Sequence, residues 1–214
     1  MRFRDRIDAG EALARRLAQY ADTRAVVMAI PRGAVPMAAV LARRLRVSLD
    51  VVLVRKIGAP FNPEYAVGAV DEGGWTYVAP YAAQAGADEA WLARATEREM
   101  DTMRERRRRY TPHRGPIDIA GRTVIVVDDG LATGATMVAA LHSLHARNPA
   151  KLVCAVPVAS AEAIALVREH ADDVVCLDVP AGFRAVGEEY EDFRQVSDEE
   201  VIAALAATDA TRPG

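Results

Sequence analysis

Aromatic side chains are scarce: Phe, Trp and Tyr make up 6% of the chain, although 51% of its residues are hydrophobic. A core of this composition is aliphatic, filled by Val, Ala and Leu. At 214 residues the chain buries enough of it to fold without staples. Cysteine is nearly absent. Cys154 and Cys176 lie in separate apolar runs and read as small core hydrophobes, giving neither a disulfide framework nor a metal set. His113, His142, His145 and His170 have no zinc spacing with them. No excess of one charge exists either: 27 Lys and Arg stand against 30 Asp and Glu. With no basic tail, composition gives no case for nucleic-acid binding. No uncharged apolar run is long enough to cross a bilayer. The opening Met-Arg-Phe-Arg-Asp-Arg lacks a signal-peptide apolar core, so a cytoplasmic setting without membrane contact is expected. Two nucleotide motifs are missing as well. No Gly-x-Gly-x-x-Gly opens the first helix, and Ala135 follows Gly134 where a P-loop needs Lys.

What is present is an alternation of short apolar runs and amphipathic segments. The runs Ala25–Ile30, Leu49–Val54, Arg122–Asp128, Lys151–Val158 and Val174–Val179 read as strands. They are continuously apolar rather than alternating, which predicts a mainly parallel sheet flanked by helices on both faces, an α/β fold. Helices are expected after Asp8 as a cap, over Met37–Leu45, from Asp88 to about Tyr110, over Met137–Ala146 and over Glu162–Glu169. A last helix, 197–207, opens on the capping box Ser197-Asp198-Glu199-Glu200. Ala66–Val70 and Trp75–Val78 flank Asp71-Glu72-Gly73-Gly74 as a β-hairpin. Gly58–Glu64, with two prolines, reads as a long loop. The basic run Arg106–Arg109 sits at a helix C-terminus, where cations complement the dipole, and reads as a solvated helix end. With no repeat and no linker, one domain over 1–214 is expected: a core of about 25–180, a hood of about 181–196 and the C-terminal helix.

Residues 124–136, Val-Ile-Val-Val-Asp-Asp-Gly-Leu-Ala-Thr-Gly-Ala-Thr, concentrate the chemistry. A buried strand ends on two adjacent carboxylates, Asp128 and Asp129. A turn of Gly130, Leu131, Ala132, Thr133, Gly134, Ala135 and Thr136 then leads into a helix. Turn N–H groups and a helix N-terminus suit an anion. The carboxylates cannot bind that anion and need another partner, such as hydroxyls. A sugar phosphate supplies both. Pro31-Arg32-Gly33 follows an earlier buried strand, and Gly33 would let the backbone approach an oxyanion closely while Arg32 adds a forked cation. Arg55 and Lys56 end the next strand, and alternation sends them to opposite faces, so one of them reaches the site.

The 124–136 run resembles the 5-phosphoribosyl-1-pyrophosphate (PRPP) signature of the type I phosphoribosyltransferases, and the similarity extends from about Ala25 to Phe193. The resemblance implies that Asp128 and Asp129 hold the ribose hydroxyls and that residues 130–136 wrap the 5-phosphate. It implies that Arg32, Gly33 and Lys56, with Arg55 as the spare, hold pyrophosphate, and that Gly58–Glu64 is a mobile flap. Mg²⁺ is implied as cofactor, held mainly through PRPP rather than by the protein. Phe183 and Asp192 resemble the acceptor-stacking ring and metal-assisting acid of the hypoxanthine-guanine group; the other reading of Phe183 is a core contact beneath a loop. Two departures disfavour a 6-oxopurine acceptor: Ala132 stands where that group has Asp, and Pro157-Val158-Ala159-Ser160 contains no Lys. Gly130 stands where the pattern has an aliphatic residue or Ser, which is expected to loosen the turn.

The implied activity is phosphoribosyl transfer from PRPP to a nitrogenous acceptor, purine, pyrimidine or amine, of the kind used in nucleotide salvage. Family members are commonly dimers, so a homodimer is expected. The alternative is a PRPP-sensing regulator that keeps the pocket without turnover. A PRPP-synthesising kinase would need two such domains and an ATP site.

Overall fold

The computed structural model describes residues 2–209. Five parallel strands form the main sheet: β1 (Val26–Ala29), β2 (Ser48–Val51), β6 (Thr123–Val127), β7 (Lys151–Val158) and β8 (Asp173–Asp178), in the spatial order β2-β1-β6-β7-β8. Their side chains alternate between two cores, as a pleated sheet covered on both faces requires. Val27, Ala29, Ile125 and Val127 face helices α1 (Arg6–Arg16), α2 (Ala34–Leu45) and α6 (Asp198–Asp209), meeting Leu13, Met37 and Leu205. Val26, Met28, Val124 and Val126 face α4 (Ala135–His145) and α5 (Ala161–Arg168), meeting Met137, Leu141 and Ile164. Cys154 is buried in β7 and Cys176 half-buried in β8, both free thiols, and burial pushes the Cys176 thiol up to about 11. The expected capping box closes: Ser197 N donates to Glu200 Oε2 at 2.9 Å, and Glu200 N donates to Ser197 Oγ at 3.2 Å. No helix among the described residues is long and apolar enough to cross a membrane.

The strand order reverses direction at β1, which pairs with β2 on one side and with β6 on the other. In open α/β sheets the crevice beyond the strand carboxyl ends at such a switch is where ligands bind. Here β1 runs into Pro31-Arg32-Gly33 and β6 into Asp128-Asp129, so the pairing of Ala29 with Val127 delivers both turns to one place.

A second, antiparallel sheet, β3-β4-β5, consists of β3 (Val54–Ala59), β4 (Asn62–Asp71) and β5 (Thr76–Val78). It packs on α4 and on the 22-residue helix α3 (Glu89–Tyr110), which Asp88 caps through Trp91 N. This sheet corrects three expectations. The apolar run Leu49–Val54 is not one strand. β2 stops at Val51, and the chain leaves the main sheet through Val52-Leu53 before β3 begins. Arg55 and Lys56 therefore sit inside β3, not at the end of a parallel strand. Gly58–Glu64 is no loop but the turn end of a β3–β4 hairpin, where Ala59 pairs with Asn62 around Pro60-Phe61. Hydrophobicity is continuous across the break, so periodicity could not mark it. At the N-terminus Asp5, not Asp8, caps α1, its carboxylate accepting from Asp8 N at 2.8 Å.

The basic end of α3 also differs from the solvated end expected. Arg107 is buried. Its guanidinium donates to Asp50 of β2 at 2.6 Å, to the Val51 carbonyl at 2.9 Å and to Glu72 in the β4–β5 turn at 2.7 Å. Asp50 is fully buried, and it also takes Arg114 at 3.1 Å and Ile117 N at 2.9 Å. One arginine thus joins the main sheet, α3 and the small sheet. Replacing it with Leu takes one of two cations from buried Asp50 and breaks the ion pair of half-buried Glu72, and breaking a buried pair typically costs about 3–5 kcal/mol. Arg107→Leu is expected to lower unfolding free energy by that amount in urea denaturation, and a loss below about 1 kcal/mol would show that packing alone holds α3.

Candidate functional site

The β6–α4 turn is pinned along its length. Leu131 bridges to the end of β7, with its N–H on the Val158 carbonyl and its own carbonyl taking Ser160 N, each at 3.0 Å. Ser160 Oγ donates to the Ala132 carbonyl at 2.8 Å. Gly134, the residue before α4, has φ +76°, a conformation that favours Gly, and the only side chain on the first turn is Thr133, whose Oγ1 accepts Ala135 N at a long 3.4 Å. Thr133 and Ala135 are exposed, so the helix N-terminus opens outward, and its N–H groups and dipole suit an anion. Gly130 does not loosen this turn. A Cβ there would lie 2.5 Å from Val186 Cγ1, so the isopropyl group of Val186 fills the space a side chain would take.

The two carboxylates are unequal. Arg6 of α1 donates to Asp129 Oδ2 through Nε at 2.9 Å and through its terminal nitrogen at 2.8 Å, with side chains only 10% and 16% exposed. Arg6 also reaches the Arg194 carbonyl at 2.9 Å and lies 4.0 Å from the centre of the Phe193 ring. Tyr190, buried, donates its hydroxyl to the Asp129 carbonyl at 2.6 Å. Asp128 has no such cation; Oδ1 accepts Asp129 N at 2.9 Å. Burial raises both carboxyls, and the neighbouring charge adds to this at Asp128, whereas Arg6 opposes it at Asp129. Both carboxyls therefore titrate above the ordinary carboxylate range, Asp128 further than Asp129.

Gly33 approaches this pair so closely that a Cβ would fall 2.1 Å from Asp129 Oδ2. Its φ of −54° is ordinary, so the requirement is space rather than conformation. The preceding Pro31–Arg32 peptide bond is cis. Arg32 turns toward α6, with its guanidinium 3.8 Å from Asp198, which also accepts the Tyr110 hydroxyl at 2.7 Å.

Under the small sheet, beyond the ends of β1 and β2, lies a cavity of about 410 Å³ walled by Pro31, Val52, Arg55, Lys56, Met103 and Thr136, among others. Arg55 is bound to Glu99 of α3 at 2.6 Å, whereas Lys56 is exposed and makes no ion pair among the described residues.

The structure thus gathers Gly33, Asp128, Asp129 and the 130–136 turn at one crevice, with Lys56 and Arg55 beside it. Asp192 does not line the cavity beside Lys56; its carboxylate accepts Arg194 N at 3.0 Å and lines a hollow with Asp5, Arg6 and Pro36. Phe183 is half-buried, with one side packed against the core. Three residues escaped the sequence reading. Arg6 is separated from Asp129 by 123 positions, and Tyr190 and Val186 act through contacts that no local pattern signals.

Comparison with known proteins places these features in a family. The phosphoribosyl transferase domain matches residues 4–192. Two Mycobacterium tuberculosis proteins, "Putative phosphoribosyl transferase MT0597" (strain CDC 1551) and "Putative phosphoribosyl transferase Rv0571c" (strain H37Rv), are each 43% identical over 204 residues, 95% of this chain. The chain spans 46% of the length of these relatives. The crystal structure of TT1426 from Thermus thermophilus has a TM-score of 0.86 at 49% identity, covering 97% of this chain and 99% of that one.

The inequality of the two acids yields opposite expectations. Asp129→Asn leaves Arg6 largely buried without its counter-charge and should cost about 3 kcal/mol. Asp128→Asn removes a charge that burial and Asp129 disfavour, so it should leave stability at pH 7 unchanged or raise it. Because the folded-state values exceed the unfolded ones, the folded protein binds more protons above about pH 4, and the pair's contribution falls as pH rises from there. Calorimetric Tm of both variants from pH 4 to 8 checks the signs; equal losses for both would contradict the assignment.

Proposed function

The chain belongs to the phosphoribosyl transferase domain family, and on that premise we propose that it transfers the 5-phosphoribosyl group of PRPP to a nitrogenous acceptor with release of pyrophosphate. The observation that carries this reading is the junction of Gly33 with Asp129 at the β1/β6 switch point, beside the outward-facing N-terminus of α4. A phosphorylated sugar has a group for each part. The 5-phosphate takes the 130–136 turn, the ribose hydroxyls take Asp128 and Asp129, and the pyrophosphate lies along Gly33 toward Lys56. Arg55 is committed to Glu99, which favours Lys56 as the contact. Arg32 reaches the same group if it exchanges its long pairing with Asp198 for the ligand.

Displacement at the anomeric carbon builds positive charge on the ring as the bond to pyrophosphate breaks. The acid pair, fixed by Arg6 and Tyr190 before substrate arrives, offers negative charge where that cation develops. Remote binding of the 5-phosphate holds the ring in place for attack. Among the described residues no group of three or more His, Cys, Asp or Glu could hold a metal ion. A divalent ion would therefore take most of its ligands from the phosphates and water, with Asp128 the available carboxylate, and would neutralise the leaving group. Among the described side chains of the cavity wall no general base stands out, which favours an acceptor nitrogen that is nucleophilic as it arrives.

A screen of purines, pyrimidines and amines with PRPP and Mg²⁺, read out as pyrophosphate release, tests the reading. PRPP should also raise Tm by mass action. A folded protein whose Tm does not move at saturating PRPP and Mg²⁺ would count decisively against it, while binding without release across the screen would favour a PRPP sensor. Lys56→Ala should weaken pyrophosphate and PRPP binding and leave ribose 5-phosphate binding intact in calorimetry. Equal loss of all three ligands would show that Lys56 does not face the leaving group.

A further inference from the structure

We propose that Arg106 of α3 is a further contact for the pyrophosphate of PRPP, so that the small sheet and α3 together grip the leaving group; the inference rests on the reading above. Within the basic end of α3, Arg106 stands apart from the other arginines that hold carboxylates. Arg104 is on Asp101 at 3.0 Å, Arg107 is on Asp50 and Glu72, and Arg109 is on Asp198 at 3.0 Å. Arg106 is half-buried, makes no ion pair among the described residues, and lines the 410 Å³ cavity together with Lys56 and Thr136.

Among the described side chains, no carboxylate lines that cavity. Its wall carries Arg55, already neutralised by Glu99, and the two uncompensated cations Lys56 and Arg106. Two like charges left without carboxylates at one cavity attract an anion that carries more than one negative charge. Pyrophosphate has that charge, and the forked guanidinium can meet two of its oxygens where Lys56 acts as a point charge.

The helix fixes where Arg106 points. Met103, one turn earlier on the same face, is buried in the cavity wall. Arg107, the next residue, is locked by Asp50 and Glu72, so α3 cannot rotate without breaking that network. The cavity also borders Ile30 and Pro31, which lead directly into Arg32-Gly33. That border assigns the arginine to the leaving group rather than to the 5-phosphate, whose turn contributes only Thr136 to the wall.

Calorimetric titration of the full chain with pyrophosphate, PRPP and ribose 5-phosphate, each with Mg²⁺, tests this. Arg106→Gln should weaken pyrophosphate and PRPP binding roughly 10- to 100-fold, with ribose 5-phosphate affinity and Tm unchanged. Arg106→Lys should recover part of the loss, and Arg108→Gln, an exposed neighbour on the same helix, should bind as the parent does. Pyrophosphate affinity in Arg106→Gln equal to that in Arg108→Gln would overturn the proposal while leaving the phosphoribosyl reading intact. Parallel loss of ribose 5-phosphate would overturn it too, by moving Arg106 to the other phosphate. A parent protein that binds neither pyrophosphate nor PRPP would remove the phosphoribosyl reading itself, and this inference with it.

Discussion

The Arg6–Asp129 ion pair is the interaction on which the crevice depends. Two nitrogens of one guanidinium hold one carboxylate oxygen, and both side chains are largely withdrawn from water. A charge so placed is tolerated only because its partner is fixed. The same arginine binds the Arg194 carbonyl and stacks on Phe193, and Tyr190 holds the Asp129 backbone. Helix α1, the β6 terminus and the segment before α6 are thereby joined at one point. Gly33 can then pass against Asp129 without collision. Without the arginine, two adjacent carboxylates would face each other in a shielded crevice, and the pair would lose charge or position.

A second ionic centre organises the opposite side. Asp50, Arg107 and Glu72 tie β2 to α3 and to the small sheet, so the wall that carries Lys56 and Arg106 is rigidly referenced to the main sheet. The crevice is consequently polarised, with acids at the end of β6 and cations under the small sheet. A ligand spanning it needs hydroxyls at one end and negative charge at the other. The polarity arises from which charges are left over after internal pairing, since most arginines near the site are spent on structure.

Parts of this arrangement could be read from local sequence because local physics decides them. Continuous β-branched runs give parallel strands, Ser197 and Glu200 give a helix start, and the Asp71–Gly74 turn gives a hairpin between β4 and β5. The 124–136 run specifies strand, acids, turn and helix within one stretch, and the structure has them in that order. The misses also have physical causes. Val52-Leu53 is as apolar as β2, so nothing marks where the chain changes sheets. Arg107 looks like its neighbours in a run of arginines, and only the location of Asp50 buries it. Gly130 looks like a loosened turn until Val186, far along the chain, occupies the missing side chain's volume.

The sequence by itself determined most helices, the parallel sheet and the order of strand, acids, turn and helix in the signature run, since each is fixed by contacts within a few residues or by a hydrophobic pattern, but not where β2 ends and the small sheet begins. The tertiary structure alone decided which charges are free to meet a ligand. Asp129 is taken by Arg6, Arg55 by Glu99 and Arg107 by Asp50, whereas Lys56 and Arg106 are left facing a cavity. Pairing of charges depends on distances between residues far apart in the chain, and no local pattern contains those distances.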